Sequence, residues 1–122
     1  MPISTIQVLE ERYDEGRLRK MSAAVQDALI NVLQVTSDDI FQIIHELPRK
    51  RFVDSPSFLD SKYSDDFILL EVAFHSGRPK EVRLALLKEL NARIVAEVGI
   101  SPDDLMVHLS EDPGENFSFA TE

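Results

Sequence analysis

The chain has no cysteine and no tryptophan. Without thiols it can build neither a disulfide framework nor a thiolate nucleophile, which excludes cysteine catalysis. Histidine is scarce. His45, His75 and His108 stand too far apart for any zinc-binding spacing, so no metal is expected. Positive charge is scarce too: 13 Lys and Arg against 22 Asp and Glu leave a formal net charge of −9. Such a balance repels phosphate backbones, and no nucleic-acid partner is expected. The one dense basic cluster, Arg49-Lys50-Arg51, follows Pro48 at an apparent strand end and reads as a solvated loop or as an anion or partner contact. No run of 18 apolar residues occurs, and Pro2-Ile3-Ser4-Thr5 lacks the basic and apolar regions of a secretory signal. No membrane partner is expected, and the location expected is cytoplasmic.

What is present is a repeat. Val35-Thr36-Ser37-Asp38-Asp39-Ile40-Phe41, running on to Glu46, returns as Ile100-Ser101-Pro102-Asp103-Asp104-Leu105-Met106, running on to Glu111. The offset is 65, which is 104 minus 39. The same offset carries Met21, Val25, Leu29 and Leu33 onto Leu86, Leu90, Ile94 and Val98. Each set recurs every four residues, as the buried face of an amphipathic helix does. Ahead of the two helices lie apolar runs from Ile3 to Leu9 and from Phe67 to Phe74, without interior Pro or Gly, as strands require. Behind them, Ser/Thr/Pro/Asp turns lead into Phe41 to Leu47 and Leu105 to Leu109.

Each half therefore reads β-α-β, and a crossover helix makes its two strands parallel neighbours. The fold class expected is α+β: tandem β-α-β units forming a four-stranded sheet with both helices on one face. With 122 residues, 43% of them hydrophobic, the chain suits a single domain over 1–122. Its halves are about 2–47 and 66–111, joined by a connector over 48–65 with room for one short strand. The tail over 112–122 opens on the turn Asp112-Pro113-Gly114 and alternates Phe117 and Phe119 with polar neighbours, which predicts a short closing strand. A sheet covered on one side leaves its other face in need of a partner, so an oligomer is expected, a closed homotrimer above all.

A duplicated β-α-β chain beginning Met-Pro resembles the tautomerase superfamily, in which the proline becomes the amino terminus once methionine is removed. Met-Pro also begins many unrelated chains. The repeat gives it weight, because at the offset of 65 Pro2 corresponds to Phe67 and only the first half can own a free amine. The likeness runs over nearly the whole chain and is nearest to the malonate semialdehyde decarboxylase family. It is carried by Asp38-Asp39-Ile40-Phe41-Gln42, by Gly99-Ile100-Ser101-Pro102-Asp103-Asp104 and by Asn116-Phe117-Ser118-Phe119.

The resemblance implies a cofactor-independent enzyme acting on a small anionic oxo acid. Pro2 matches the catalytic proline, Asp39 the acidic residue beside it, and Arg78 an arginine that grips the substrate carboxylate. Ser76 stands where that family has a first arginine, and Phe117 where it has a tryptophan in an aromatic wall that Phe119 continues. Ser76, Phe117 and Phe119 thus join Arg78 as substrate-binding candidates. The activities implied are decarboxylation of malonate semialdehyde and keto-enol tautomerisation, with hydration or dehalogenation of unsaturated acids as the alternative. A non-catalytic oligomeric binding protein that keeps the fold is the other reading.

The residues themselves leave further readings open. Asp39 also suits a turn cap, and its repeat mate Asp104 suits that role alone. Arg78 precedes Pro79 where a helix begins, which suits a surface residue, although a cation there opposes the helix dipole. Phe117 and Phe119 suit a core or subunit interface. His75 reads as a partly buried strand end. An α-amino group titrates near 7.7 to 8.0, so a free Pro2 amine is available as base or acid near neutral pH.

Overall fold

The computed structural model describes residues 1–120. Strand β1 (Ile3–Leu9) leads through a turn into helix α1 (Glu15–Leu33) and strand β2 (Gln42–Leu47). After the connector and its two-residue strands β3 (Ser57–Phe58) and β4 (Ser61–Lys62) come β5 (Ile68–His75), α2 (Lys80–Ile94) and β6 (Leu105–Asp112). The main sheet has the order β2-β1-β5-β6. β1 runs parallel to β2 and β5 parallel to β6, while the two halves meet antiparallel at β1 and β5. Among the described residues no helix is long and apolar enough to cross a membrane.

Local chemistry explains the boundaries. Asp14 caps α1 by accepting from the Arg17 N–H at 2.8 Å. Gln34 closes the helix in the left-handed region at φ 60°, its own N–H donating to the Ile30 carbonyl. α2 begins straight after Pro79 and ends in a π-helical turn, Val95–Gly99, where Gly99 takes φ 77° without steric cost. All eight residues of the two predicted helix faces are buried, from Met21 at 0% to Leu33 at 7% exposure. They pack on Ile6, Val8, Ile68, Leu70, Val72 and Phe74 of the two central strands. Each such side chain, fully buried, contributes about 1.5–3 kcal/mol relative to exposure.

The pairing corrects the repeat in one place. Ser4 pairs with Gln42 and Leu70 with Val107. Val107 lies 65 beyond Gln42, but Leu70 lies 66 beyond Ser4. The buried positions agree: Ser4, Ile6 and Val8 in β1 match Leu70, Val72 and Phe74 in β5. One residue is therefore lost between first strand and helix in the second half, and Pro2 corresponds to Ile68 rather than Phe67. An offset of 65 would have turned every side chain of the strand to the wrong face.

Three further expectations change. The tail makes a 3₁₀ turn at Gly114–Asn116 and no strand over 117–119; residues 121 and 122 of the predicted strand region lie outside the described residues. The connector holds two minimal strands and a 3₁₀ turn at Arg49–Arg51, with Arg49 facing Asp54 at 3.2 Å. Its Phe52 joins Leu9 and Phe67 in a small second core, with Leu47, Tyr63 and Leu69 packed around it. Lastly, Asp104 is no solvated cap. It is 3% exposed and accepts from the Ser64 N–H at 2.7 Å and hydroxyl at 2.6 Å, tying the connector to the start of β6.

Asp104→Ala should therefore cost about 1.5–3 kcal/mol, because it strands the Ser64 donors. Asp39→Ala, at the matching position of the first half, should change stability by less than about 0.5 kcal/mol. Urea unfolding of both variants tests the contrast, and equal effects would refute it.

Candidate active site

The chain's amino terminus enters β1 beside two arms of structure. On one side, β2 runs parallel, so the turn before it lies next to the first residues: the Ser4 N–H donates to the Phe41 carbonyl at 2.9 Å. On the other, β5 runs antiparallel, and its C-terminal end returns to the same place, with Ala73 opposite Ile3. β6 ends there too, pairing Asp112 with His75 and accepting the Ser76 N–H at 2.9 Å. Pro2, Asp39, Ser76, Arg78, Phe117 and Phe119 are all carried to this one end of the sheet. Pro2 is buried and Ser76 exposed.

Asp39 has the freer of two neighbouring carboxylates. Asp38 takes the local turn bond, accepting from the Thr36 hydroxyl at 2.6 Å. The Asp39 carboxylate, 26% exposed, instead faces the amino nitrogen of Met1, one residue before Pro2, at 3.7 Å. Its backbone is held from behind. Gln26, 7% exposed on α1, donates from Nε2 to the Asp39 carbonyl at 3.0 Å and to the Thr36 carbonyl at 3.4 Å. Gln26 sits on the apolar face of an amphipathic helix, where a lone amide stands out among aliphatic neighbours. That pattern was available in the sequence.

Arg78 is half-buried. Its guanidinium lies 5.7 Å from the centre of the Phe74 ring, a cation–π arrangement, and Nη1 donates to the His75 carbonyl at 3.3 Å. Among the described residues no carboxylate pairs with it, in a chain with 22 acidic residues. Neighbouring Arg83 shows the usual outcome, meeting Glu111 at 3.1 Å and donating to the Arg78 carbonyl at 3.1 Å. Gly77, at φ 121°, makes the bend that lifts Arg78 off the strand end.

The aromatic pair does not form an isolated wall. Phe117 stacks on the His75 ring at 4.4 Å between centroids and 25° between planes, and Phe119 lies beyond at 6.5 Å. His75 is thus more than a strand end, and its place among the site residues was not legible from its neighbours in the chain. A recess of about 340 Å³ opens beside β1, lined by Ile3, Ile40, Phe41, Gln42 and Ile43. A larger apolar pocket of about 410 Å³, lined by Phe52, Phe58, Tyr63, Phe67 and Met106 among others, lies at the opposite end of the sheet. None of the candidate residues reaches it.

A duplicated β-α-β chain with a proline at the tip of its first strand, an acid beside the amino terminus and, opposite, an arginine with no carboxylate partner among the described residues defines a class of fold and site. The chain belongs to the tautomerase enzyme family: one family model for tautomerase enzymes matches residues 39–120 and another matches 2–54. It is similar to a probable tautomerase, YusQ, of Bacillus subtilis (strain 168), at 28% identity over 98% of this chain and 93% of the relative. Its fold matches crystal structures of malonate semialdehyde decarboxylase, with a TM-score of 0.85 and 23% identity, covering 96% of this chain and 89% of that one. It also matches a fused 4-OT protein solved as a symmetric trimer, with a TM-score of 0.79 and 18% identity over 97% and 91% of the two chains.

Proposed function

We propose that this protein is a cofactor-independent enzyme that uses the amine of Pro2, freed by removal of Met1, to move a proton on a small oxo-carboxylate. The observation that carries this reading is the half-buried Arg78, unpaired among the described residues and standing at the same sheet end as the amino terminus. A guanidinium is permanently charged and forks onto a carboxylate. In an acidic chain it supplies the local attraction that the whole molecule lacks.

In tautomerisation, neutral Pro2 takes the proton from the carbon beside the oxo group, the C–H electrons pass into the enolate, and the same proton returns to carbon or oxygen. Arg78 holds the carboxylate, and Asp39 sets the charge felt by the amine. Decarboxylation of a 3-oxo acid such as malonate semialdehyde is the second reading, favoured by the likeness to that decarboxylase over 96% of the chain. There, protonated Pro2 stabilises the enolate left when the carboxylate departs. Ser76, Phe117 and Phe119 line the substrate side.

We further propose a homotrimer. The helices cover one face of the sheet only, and the other presents Ile43 (51% exposed), Met106 (38%) and the polar row of Gln7, His45, Glu71 and His108. Three copies would bury these faces against one another. Intact-mass measurement paired with phenylpyruvate tautomerisation tests the amine. Activity is expected in protein lacking Met1, and it should vanish when the amino terminus is acylated. Full activity after acylation would refute the reading.

A further inference from the structure

Four residues marked for substrate by their resemblance meet at a fifth that was not. Arg78 donates to the carbonyl of His75, Phe117 stacks on its ring, Phe119 lies parallel beyond, and Ser76 follows it in the chain. The ring is held. Phe117 covers one side at 4.4 Å, and Gly114 lies on the Nδ1 side, where an added Cβ would make ordinary contact at 3.7 Å. Its Nε2 is shielded from solvent, yet no protein group among the described residues bonds to it.

An imidazole nitrogen removed from water without a partner is costly, and native structures keep few such orphans. Packing alone does not account for this one. A phenyl ring would fill the same space between Phe117 and the strand end with nothing left unpaired. The nitrogen is therefore the reason for histidine at this position.

We propose that His75 is a substrate-binding residue of the site: entry of the small oxo-carboxylate whose carboxylate Arg78 holds uncovers the shielded Nε2, whose N–H then donates to the oxo oxygen. The inference rests on the Arg78 reading above and adds the second point of contact. A carboxylate gripped by one guanidinium can still rotate about the bond to the rest of the molecule. A donor on the oxo oxygen fixes that rotation and polarises the carbonyl, as both proton abstraction and loss of carbon dioxide require.

The test compares His75→Phe, which keeps the stack and loses the nitrogen, with His75→Gln, whose amide N–H falls close to the position of Nε2. Phenylpyruvate turnover gives kcat/KM, and malonate, a stable dicarboxylate, serves as the binding probe. In the parent protein, malonate should shift the ¹⁵N signal of the His75 ring. His75→Phe should lower kcat/KM at least tenfold with little change in thermal midpoint, and His75→Gln should recover part of the loss. A His75→Phe variant that turns over phenylpyruvate and binds malonate like the parent overturns the proposal, as does a parent ring signal that ignores malonate. Arg78→Ala separates the two readings. If it too leaves malonate affinity unchanged, the site assignment itself fails; if it abolishes binding while His75→Phe does not, only the role of His75 fails.

Discussion

Arg78→Ala should lower kcat/KM on oxo-carboxylates by about 100-fold to 1,000-fold, the effect of removing one charge-assisted, forked contact to a buried carboxylate. The loss should fall mainly on KM and on the affinity for malonate. Arg78→Lys should recover only part of it, because one ammonium cannot reproduce two parallel N–H donors. Charge alone is not sufficient. Asp39→Asn should behave in the opposite way: it keeps malonate affinity close to that of the parent while the chemical step falls by about 100-fold to 10,000-fold. The division follows from position, since Asp39 lies beside the chain's first residues, 3.7 Å from the nitrogen of Met1 that precedes Pro2, whereas Arg78 is tied to the far arm through the His75 carbonyl. Steady-state kinetics with inhibitor titration reads both variants. If both retain full turnover on every oxo acid the parent converts, neither residue belongs to the machinery.

How Asp39 acts is separable as well. Decarboxylation needs no activated water, so an Asp39→Asn defect confined to hydration would mark Asp39 as a water-handling group. A defect spanning every reaction would mark it as the charge that tunes Pro2. In the second case the limb of the pH–rate profile set by the Pro2 amine, the acidic limb where neutral Pro2 is the base, should move down in pH, because a nearby carboxylate favours the protonated amine and its removal does the reverse.

Much of this arrangement is legible in the sequence because it is periodic. Met21, Val25, Leu29 and Leu33 recur at four-residue intervals, and their match to Leu86, Leu90, Ile94 and Val98 exposes the duplication before any strand is placed. Strand parity is less visible. The absence of one residue between β5 and α2 leaves the helical match at 65 but shifts the strand match to 66, and only pairing and burial reveal it. The two aspartates at the repeat's turns are alike in sequence and unlike in structure. Asp104 has Ser64 against it, a residue of the connector for which the first half has no counterpart, whereas Asp39 has the amino terminus. His75 escapes for a related reason: what gives it meaning is a stack with Phe117, 42 residues away along the chain (117 minus 75), just past the 3₁₀ turn of the tail.

Pro2→Ala should lower turnover by about 100-fold or more while leaving the unfolding midpoint nearly unchanged. The variant keeps an amine at the same strand tip, so its effect isolates what the ring contributes. A proline nitrogen is a secondary amine locked into its ring, with its lone pair held in one direction relative to β1; an alanine amine rotates freely about its bond to Cα. Catalysis of proton transfer depends on a reacting atom held within hydrogen-bond reach and aligned, and freedom at the base forfeits part of that advantage. The ring's loss costs the fold little, because Ile3, Ser4 and the rest of β1 keep their partners in β2 and β5. A third sample completes the series. Protein that retains Met1 has an amide at the Pro2 nitrogen, whose lone pair is delocalised into the carbonyl, and it should be inactive rather than slowed. The order expected is therefore Met1-free parent, then Pro2→Ala with Met1 removed, then the uncleaved chain at background. Mass spectrometry fixes which species each preparation contains, and phenylpyruvate turnover ranks them. Equal rates in the first two would remove the pyrrolidine ring from the mechanism, and activity in the third would remove the amine altogether.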